Sequence, residues 1–380
     1  MKKNIIIIIL LTTLFTLSTW NCKQQKNIKS GNGNLKETIS INIGNRLKEL
    51  KFSFSNVNNS DKRRIWKKIN TASIFKIGGI ENELLLNPSR IKIDHNDNMY
   101  ILDWADCSIK KFDKNGIFIQ KYGKKGKGPG EFTKAFDFDV IGEGNIVVLG
   151  PNDGKFAVFK NNGIVEEVKC TLMPVELCFI APNEVVTFQI MDIISQVPFQ
   201  KINYKNNVKT GYQNIFDKGS IENENFGMLP FLLGNIHRYK LNKLVYVSSI
   251  MGYVITYNDF TIDKVFKLID EANKAGLSDG RTKINGIDAF TFPRKEDYLF
   301  ESSNIYGNNL YVFCDQVRKE PDEFVIDIYS LTECNYKYSI ILKGMGNILN
   351  VFATDNKLYI IKKNTEVEVY DYKIINDNPA

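Results

Sequence analysis

The 380 residues carry 50 Lys and Arg against 43 Asp and Glu, a formal charge of +7, with 43% hydrophobic and 24% charged residues. That length and balance exclude a disordered or collagen-like chain and allow a core that needs no disulfide or metal staple. The small basic excess is scattered along the chain, which argues against nucleic-acid binding, and an aromatic content of 12% favours strands over helices.

At the N-terminus, Met1-Lys2-Lys3-Asn4 is a short positive segment, Ile5 to Leu11 is unbroken apolar sequence, and Thr12 to Leu17 extends it with a few hydroxyls. The run is short for a spanning helix, which wants about 20 residues, and fits the apolar region of a secretory signal. Thr19-Trp20-Asn21 precedes Cys22, and Trp20 is larger than a cleavage site prefers. Residues 1–21 together resemble a lipoprotein signal, which implies that Cys22 is lipidated and becomes the first residue of the mature chain. Ordinary cleavage beside an incidental cysteine and an uncleaved anchor are the other readings of these residues. Lys23 to Asn34 is polar and rich in Gly and Asn, so 22–50 is expected to be a flexible tether.

Beyond residue 50 the sequence repeats itself. A turn residue, a polar residue and an apolar strand recur at Asp97-Asn98-Met99, Gly144-Asn145-Ile146, Asn183-Glu184-Val185, Asn242-Lys243-Leu244, Asn308-Asn309-Leu310 and Asn356-Lys357-Leu358. Asn, Asp and Gly tolerate the positive φ of tight hairpin turns, so each instance predicts a hairpin. Their second residues stand 47, 39, 59, 66 and 48 positions apart. Four-stranded propeller blades repeat at about 40–50 residues, and the longer intervals predict inserted loops. An aromatic strand follows each hairpin, marked by Phe112, Phe159, Tyr204, Tyr257, Tyr329 and Tyr370, and Lys114-Asn115-Gly116 and Asn161-Asn162-Gly163 are turns into a fourth strand. The expected fold is all-β, a six-bladed β-propeller of four-stranded blades over residues 51–375. A β-sandwich would also give short strands, but would not need the same aromatic strand after every hairpin. Ile74-Phe75-Lys76-Ile77, or the earlier Lys51-Phe52-Ser53-Phe54, is expected to close the ring against the last blade.

The first clear unit runs Ile91 to Asp103, then Ile109 to Phe118, then Tyr122-Gly123 to Gly126-Lys127-Gly128-Pro129-Gly130-Glu131-Phe132. It resembles an NHL-type repeat, and is similar to the six-bladed propeller lipoproteins of bacterial envelopes. The resemblance is close over 88–140 and confined to pattern over 141–372. It implies a fold and an envelope location, outer membrane or cell surface. Locally, Gly126, Gly128 and Gly130 permit positive φ, Pro129 stiffens the crossing between blades, and Glu131 can accept backbone N–H groups. No helix follows to hold a phosphate, so the motif reads as structural.

Between the fourth and fifth hairpins, 269–297 is an insertion in which Asp270 to Gly276 has helical propensity, expected to lie as a flap on one face. Five cysteines follow Cys22, namely Cys107, Cys170, Cys178, Cys314 and Cys334. They are expected to be buried thiols, with a Cys170–Cys178 bridge left open.

Catalytic chemistry is sparse. The two histidines, His95 and His237, cannot build a multi-histidine metal site, and no nucleophile or acid–base motif stands out. Asp94 and Asp139, placed at equivalent positions on adjacent first strands, are weak candidates for a divalent cation such as calcium. Propeller ligands meet the face built from loops between second and third strands and from blade crossings. Candidates there are Arg90, Trp104, Asp106 and Lys127, with Asn152, Asp153, Arg318 and Lys363 around the ring. Trp104 is the most suggestive, because an indole stacks on sugars and other flat groups. The expected role is a membrane-tethered binding or scaffold module, without enzymatic activity, cofactor or nucleic acid, for a protein partner or an extracellular ligand such as a glycan. The rival is a lyase or hydrolase on the same fold, using axial carboxylates and a divalent cation.

Overall fold

The computed structural model describes residues 51–59, 63–79, 84–142, 144–160, 163–170, 174–189, 197–217, 232–270, 281–284, 287–290, 298–314, 323–363 and 365–375. All belong to the compact unit Ser40–Ala380. The signal segment, Cys22, the tether and Arg318 lie outside them.

Strands fall into consecutive antiparallel meanders. Blade 1 comprises Pro88–Ile93, Met99–Asp103, Ser108–Phe112 and Phe118–Tyr122; blade 2 comprises Asp137–Ile141, Asn145–Gly150, Lys155–Lys160 and Gly163–Lys169. Blade 3 is Pro174–Ala181, Glu184–Gln189, Phe199–Asn203 and Val208–Gly211, and blade 4 is Gly234–Lys240, Lys243–Ser248, Tyr253–Asn258 and Thr261–Lys267. Blade 5 is Ser302–Tyr306, Asn309–Cys314, Phe324–Ser330 and Asn335–Leu342. Blade 6 takes Ile348–Ala353, Lys357–Lys362 and Glu366–Ile375 from the C-terminus and its outer strand, Trp66–Gly78, from the N-terminus. The first strands touch one another in sequence, and that of blade 6 returns to that of blade 1, so the ring is closed and the first strands line its axis.

Every second strand is an apolar run rather than an alternating one, because a neighbouring blade covers each face. Tyr100, Leu102 and Ile109 pack with Phe138, Ile146 and Val148 between blades 1 and 2. Ile91, Met99, Ile101 and Phe112 meet Phe352, Tyr359, Ile361 and Val367 between blades 1 and 6. Each such side chain taken fully out of water contributes about 1.5–3 kcal/mol.

Register explains the recurring aromatic. Phe112, Phe159, Tyr257, Tyr329 and Tyr370 each pair with the first apolar residue of their hairpin, respectively Met99, Ile146, Leu244, Leu310 and Leu358. Blade 3 departs from the expectation: Val185 pairs with Ile202, and Tyr204 lies just beyond the strand, its hydroxyl donating to the Pro182 carbonyl.

Closure uses the later of the two expected segments and gives the earlier another task. Lys68–Gly78 pairs with Glu366–Ile375, while Trp66 and Lys67 pair in parallel with Ser339 and Ile340 of blade 5. Phe52 stacks on Phe216 at 5.1 Å, and Asn58 bridges Phe266 of blade 4. Residues 51–59 and 63–78 thus lie as a belt across the rims of blades 4, 5 and 6. Its clasp is Arg64, which donates to Asp270 at 2.6 and 3.1 Å and to Asp327 at 2.7 and 3.2 Å. Asp270, Cys314 and Asp327 bring possible metal-ligand atoms within 4.8 Å of one another, but the guanidinium already binds both carboxylates.

The insertion contains a hairpin, Arg281–Ile284 with Ile287–Phe290, and the stretch of expected helical propensity lies outside the described residues apart from Asp270. All five described cysteines are free thiols, so Cys170 and Cys178 are unbridged. Burial pushes the Cys170 thiol up to about 11, which keeps it protonated and unreactive.

Candidate functional site

Two ends of the ring follow from the meander. Hairpins between first and second strands gather on one, the hairpin face; loops between second and third strands and the blade crossings gather on the other, the loop face.

The first strands are inner edges, so their outward backbone N–H groups need partners other than a sheet neighbour. Side chains of the preceding blade supply them. Asp137 accepts from Leu177 N and Asp139 from Phe179 N, both at 2.9 Å. Glu176 accepts from Ile236 N at 2.9 Å, and Asn304 both donates to and accepts from the Ala353 backbone. These staples fix the radial spacing of blades and leave polar side chains on the axis.

An axial pocket of about 40 Å³ opens among them, lined from all six blades, with Arg90, Asp137, Glu176, Asn235, Ser302 and Asn350 among its walls. Arg90 spans two carboxylates, 3.3 Å from Asp137 and 3.2 Å from Glu176. Burial opposes the charge of Arg90, yet Asp137 and Glu176 outweigh it and hold the guanidinium above its usual value. Burial pushes Glu176 above the usual carboxylate range, Arg90 opposes that, and Asp137 adds to it. Asn235 donates to Glu176 at 2.6 Å and accepts from Ser303 at 3.0 Å, and Ser303 lies 2.8 Å from His237 Nε2. Since the Ser303 proton goes to Asn235, that histidine nitrogen is the donor. Burial, with Lys92 and Arg90 nearby, holds His237 well below its usual value, so the ring is neutral.

Beside the pocket, on the loop face, stand the half-buried rings of Trp104 and Phe136, nearly parallel at 15° with centroids 6.4 Å apart. Lys134 lies 5.5 Å from the first ring and 6.0 Å from the second, and Arg90 lies 5.9 Å from Phe136. Burial keeps the Lys134 ammonium below the usual lysine range. The Trp104 indole N–H is buried without a hydrogen-bond partner. A cationic aromatic shelf of this kind suits flat or anionic groups.

The remaining expected residues divide. Lys127, Asn152 and Lys363 are exposed on the loop face. Asp153 ties down the crossing by accepting from the Thr133 N–H and hydroxyl, at 2.9 and 2.8 Å. Asp106 accepts from Ser108 at 2.5 Å and pairs with Lys110 at 3.2 Å. In the glycine loop, Glu131 accepts the Gly128 N–H as expected, but Gly128 does not adopt positive φ. Gly130 does, at φ 66°, and a Cβ there would lie 2.5 Å from Ile164.

Asp94 and Asp139 are not equivalent. Asp139 sits within its first strand, 3.6 Å from Lys92, whereas Asp94 follows its strand and caps the hairpin turn. Asp94 accepts from Asn96 N, Asn98 N, Asn98 Nδ2 and Tyr100 OH, so both its oxygens are occupied. Glu176, Asn235 and Ser303 were not singled out from sequence. Glu176 carries one signal, its polarity inside the otherwise apolar Pro174-Val-Glu-Leu-Cys-Phe, whereas Asn235 and Ser303 stand in polar strands that set neither apart.

Residues 53–271 match the sequence profile of a family described as 6-bladed beta-propeller. Among solved structures, an exported protein from Bacteroides fragilis superposes with a TM-score of 0.53 at 11% identity, over 82% of this chain and 99% of that one. A DUF4221-family member from Bacteroides vulgatus does so with a TM-score of 0.54 at 13% identity, over 82% and 99%. At those identities the likeness concerns the fold. No functionally curated protein matches the chain.

Proposed function

We infer the role of this chain from one premise: it belongs to the 6-bladed beta-propeller family. On that premise it is an exported binding or scaffold module, tethered to an envelope membrane through lipidated Cys22, that docks a protein partner or extracellular ligand on its loop face. The exported Bacteroides neighbour and the signal-like N-terminus support export, and the likeness of 91–132 to an NHL-type repeat belongs to the same reading. The observation that carries the docking assignment is the Trp104–Phe136 pair on the loop face, half-buried and flanked by Lys134 and by Arg90, which also lines the axial pocket. Aromatic side chains gathered with Arg are the composition of binding hot spots.

No catalytic step is part of this reading. Arg90 stands between Asp137 and Glu176, where a divalent cation would have to sit, and Asp94 is used up by its turn. Calcium-dependent turnover lost in Asp137→Asn would restore the lyase or hydrolase alternative.

The test compares what co-purifies with the full chain from envelopes. Trp104→Ala should lose the specific partners, and Lys160→Ala, on the hairpin face, should keep them. Equal recovery by both variants would remove the loop face from the account.

A further inference from the structure

Where the belt passes its clasp, the sequence reads Arg63-Arg64-Ile65-Trp66-Lys67-Lys68. Strand pairing brings two further segments beside it. Trp66 and Lys67 lie along Ser339 and Ile340 of blade 5, and Lys68 and Asn70 stand opposite Ile375 and Lys373 of blade 6. Direct partners in a sheet share a face, so Lys68, Lys373 and Ile375 are presented together, while Ile69 and Ile374 on the other face pack against the core between blades 5 and 6. Large apolar groups stay wet here: Ile65 is 51% exposed, Trp66 42% and Ile375 37%. The charge is lopsided too, because residues 65–71, 335–340 and 371–375 hold four lysines, Lys67, Lys68, Lys337 and Lys373, against one acid, Asp371. Arg64 adds nothing to that field, since Asp270 and Asp327 neutralise it, but its guanidinium lies 5.6 Å from the Trp66 ring centroid and holds the indole in place.

That combination selects the partner. A soluble polyanion such as a nucleic acid would meet the lysines and leave Ile65 and Ile375 in water. An anionic bilayer takes both kinds of side chain. Apolar groups enter the headgroup boundary, an indole favours that same depth, and lysines lay their methylenes along it with the ammonium among the phosphates.

We propose that this rim of blades 5 and 6 is a membrane contact in its own right, lying on an anionic lipid surface with Ile65, Trp66 and Ile375 in the headgroup region and Lys67 and Lys373 at the phosphates. It depends neither on the Trp104–Phe136 shelf nor on lipidation of Cys22. Asp371 pairs with Lys357 at the start of a second strand, and Ile375 lies beyond it, so the patch is on the hairpin side of the ring and leaves the loop face open.

The test is quenching of tryptophan emission by vesicles with brominated acyl chains, made of phosphatidylglycerol and phosphatidylcholine in equal parts or of phosphatidylcholine alone. The full chain is used as Trp104→Phe, which keeps Trp66, and as Trp66→Phe, which keeps Trp104; Trp20 and the rest of the N-terminal segment are common to both. Trp104→Phe should be quenched more than Trp66→Phe on the anionic vesicles, less so on pure phosphatidylcholine, and the difference should shrink as salt rises. Adding Lys67→Gln/Lys373→Gln to it should lower the ratio of docked to undocked chains about 25-fold, each lysine at an anionic surface being worth about fivefold. All of these rim positions are exposed, so the fold is not at stake. Equal quenching of the two tryptophan variants, no dependence on phosphatidylglycerol, or an unchanged ratio in the lysine variant would overturn the proposal. Stronger occupancy by soluble poly-glutamate than by vesicles of equal charge would overturn it in favour of an acidic protein.

Discussion

Arg64→Ala should be among the most damaging single substitutions in the belt. The side chain of Asp327 is 1% exposed, and Arg64 grips it through two nitrogens at 2.7 and 3.2 Å; what remains after truncation is Ser339 at 2.5 Å and the Cys314 thiol at 3.3 Å. Removing one partner of a buried ion pair costs about 3–5 kcal/mol, because the other charge is left uncompensated. The Asp270 half is 28% exposed and adds about 0–1 kcal/mol. Burial already raises the Asp327 carboxyl above its usual value, with Arg64 opposing, so losing Arg64 raises it further. An acid with a raised folded pKa stabilises below its unfolded pKa, and that contribution is lost as pH rises through the folded pKa. The deficit of Arg64→Ala should therefore be larger at about pH 7 than at about pH 4.5. Guanidinium unfolding at both pH values reads this, and Arg64→Ala/Asp327→Asn should recover about 2 kcal/mol by removing the stranded charge. A neutral-pH loss below about 1 kcal/mol, an equal loss in acid, or no recovery in the double variant would refute the reasoning.

Gly130→Ala combines a left-handed φ of 66° with a Cβ 2.5 Å from Ile164, and should cost about 1–3 kcal/mol in thermal or chemical unfolding. Asp103 is fully buried and accepts from Lys110 Nζ and from Leu86, Asn87 and Ala105 N–H groups. Burial opposes its ionisation, yet Lys110 and the backbone donors win and hold it below its usual value. Its contribution is present above the unfolded carboxylate range and lost as pH falls through the lower folded value, so the acid sensitivity of wild type should be blunted in Asp103→Asn, measured by unfolding midpoints across that range. Cys22→Ala should release the protein into soluble fractions, read by fractionation, and unchanged membrane retention would contradict lipidation at that residue.

The propeller was legible because its blades repeat a local event, a polar turn followed by an apolar strand that pairs with an aromatic one. Locality also set the limit. Tyr204 lies where a third-strand aromatic is expected, but in blade 3 Ile202 holds that register, a difference visible only once Val185 has a partner. Asp94 and Asp139 look alike in sequence and diverge because one caps a turn and the other staples Phe179 of the next blade. Arg64 and Asp327 are 263 positions apart, so no spacing could join them. Of the expected ligand-face residues, Trp104 and Arg90 converge through Phe136, whereas Asp106 and Asp153 serve the loops that carry them.

The docking face is tested most directly by site-specific photo-crosslinking of the full chain in its envelope. A photoreactive side chain at Ala105, beside Trp104, should give discrete adducts that disappear in Trp104→Ala, and the same group at His95 on the hairpin face should give none in common. Adducts from His95 alone, or the same adducts from both positions, would contradict it.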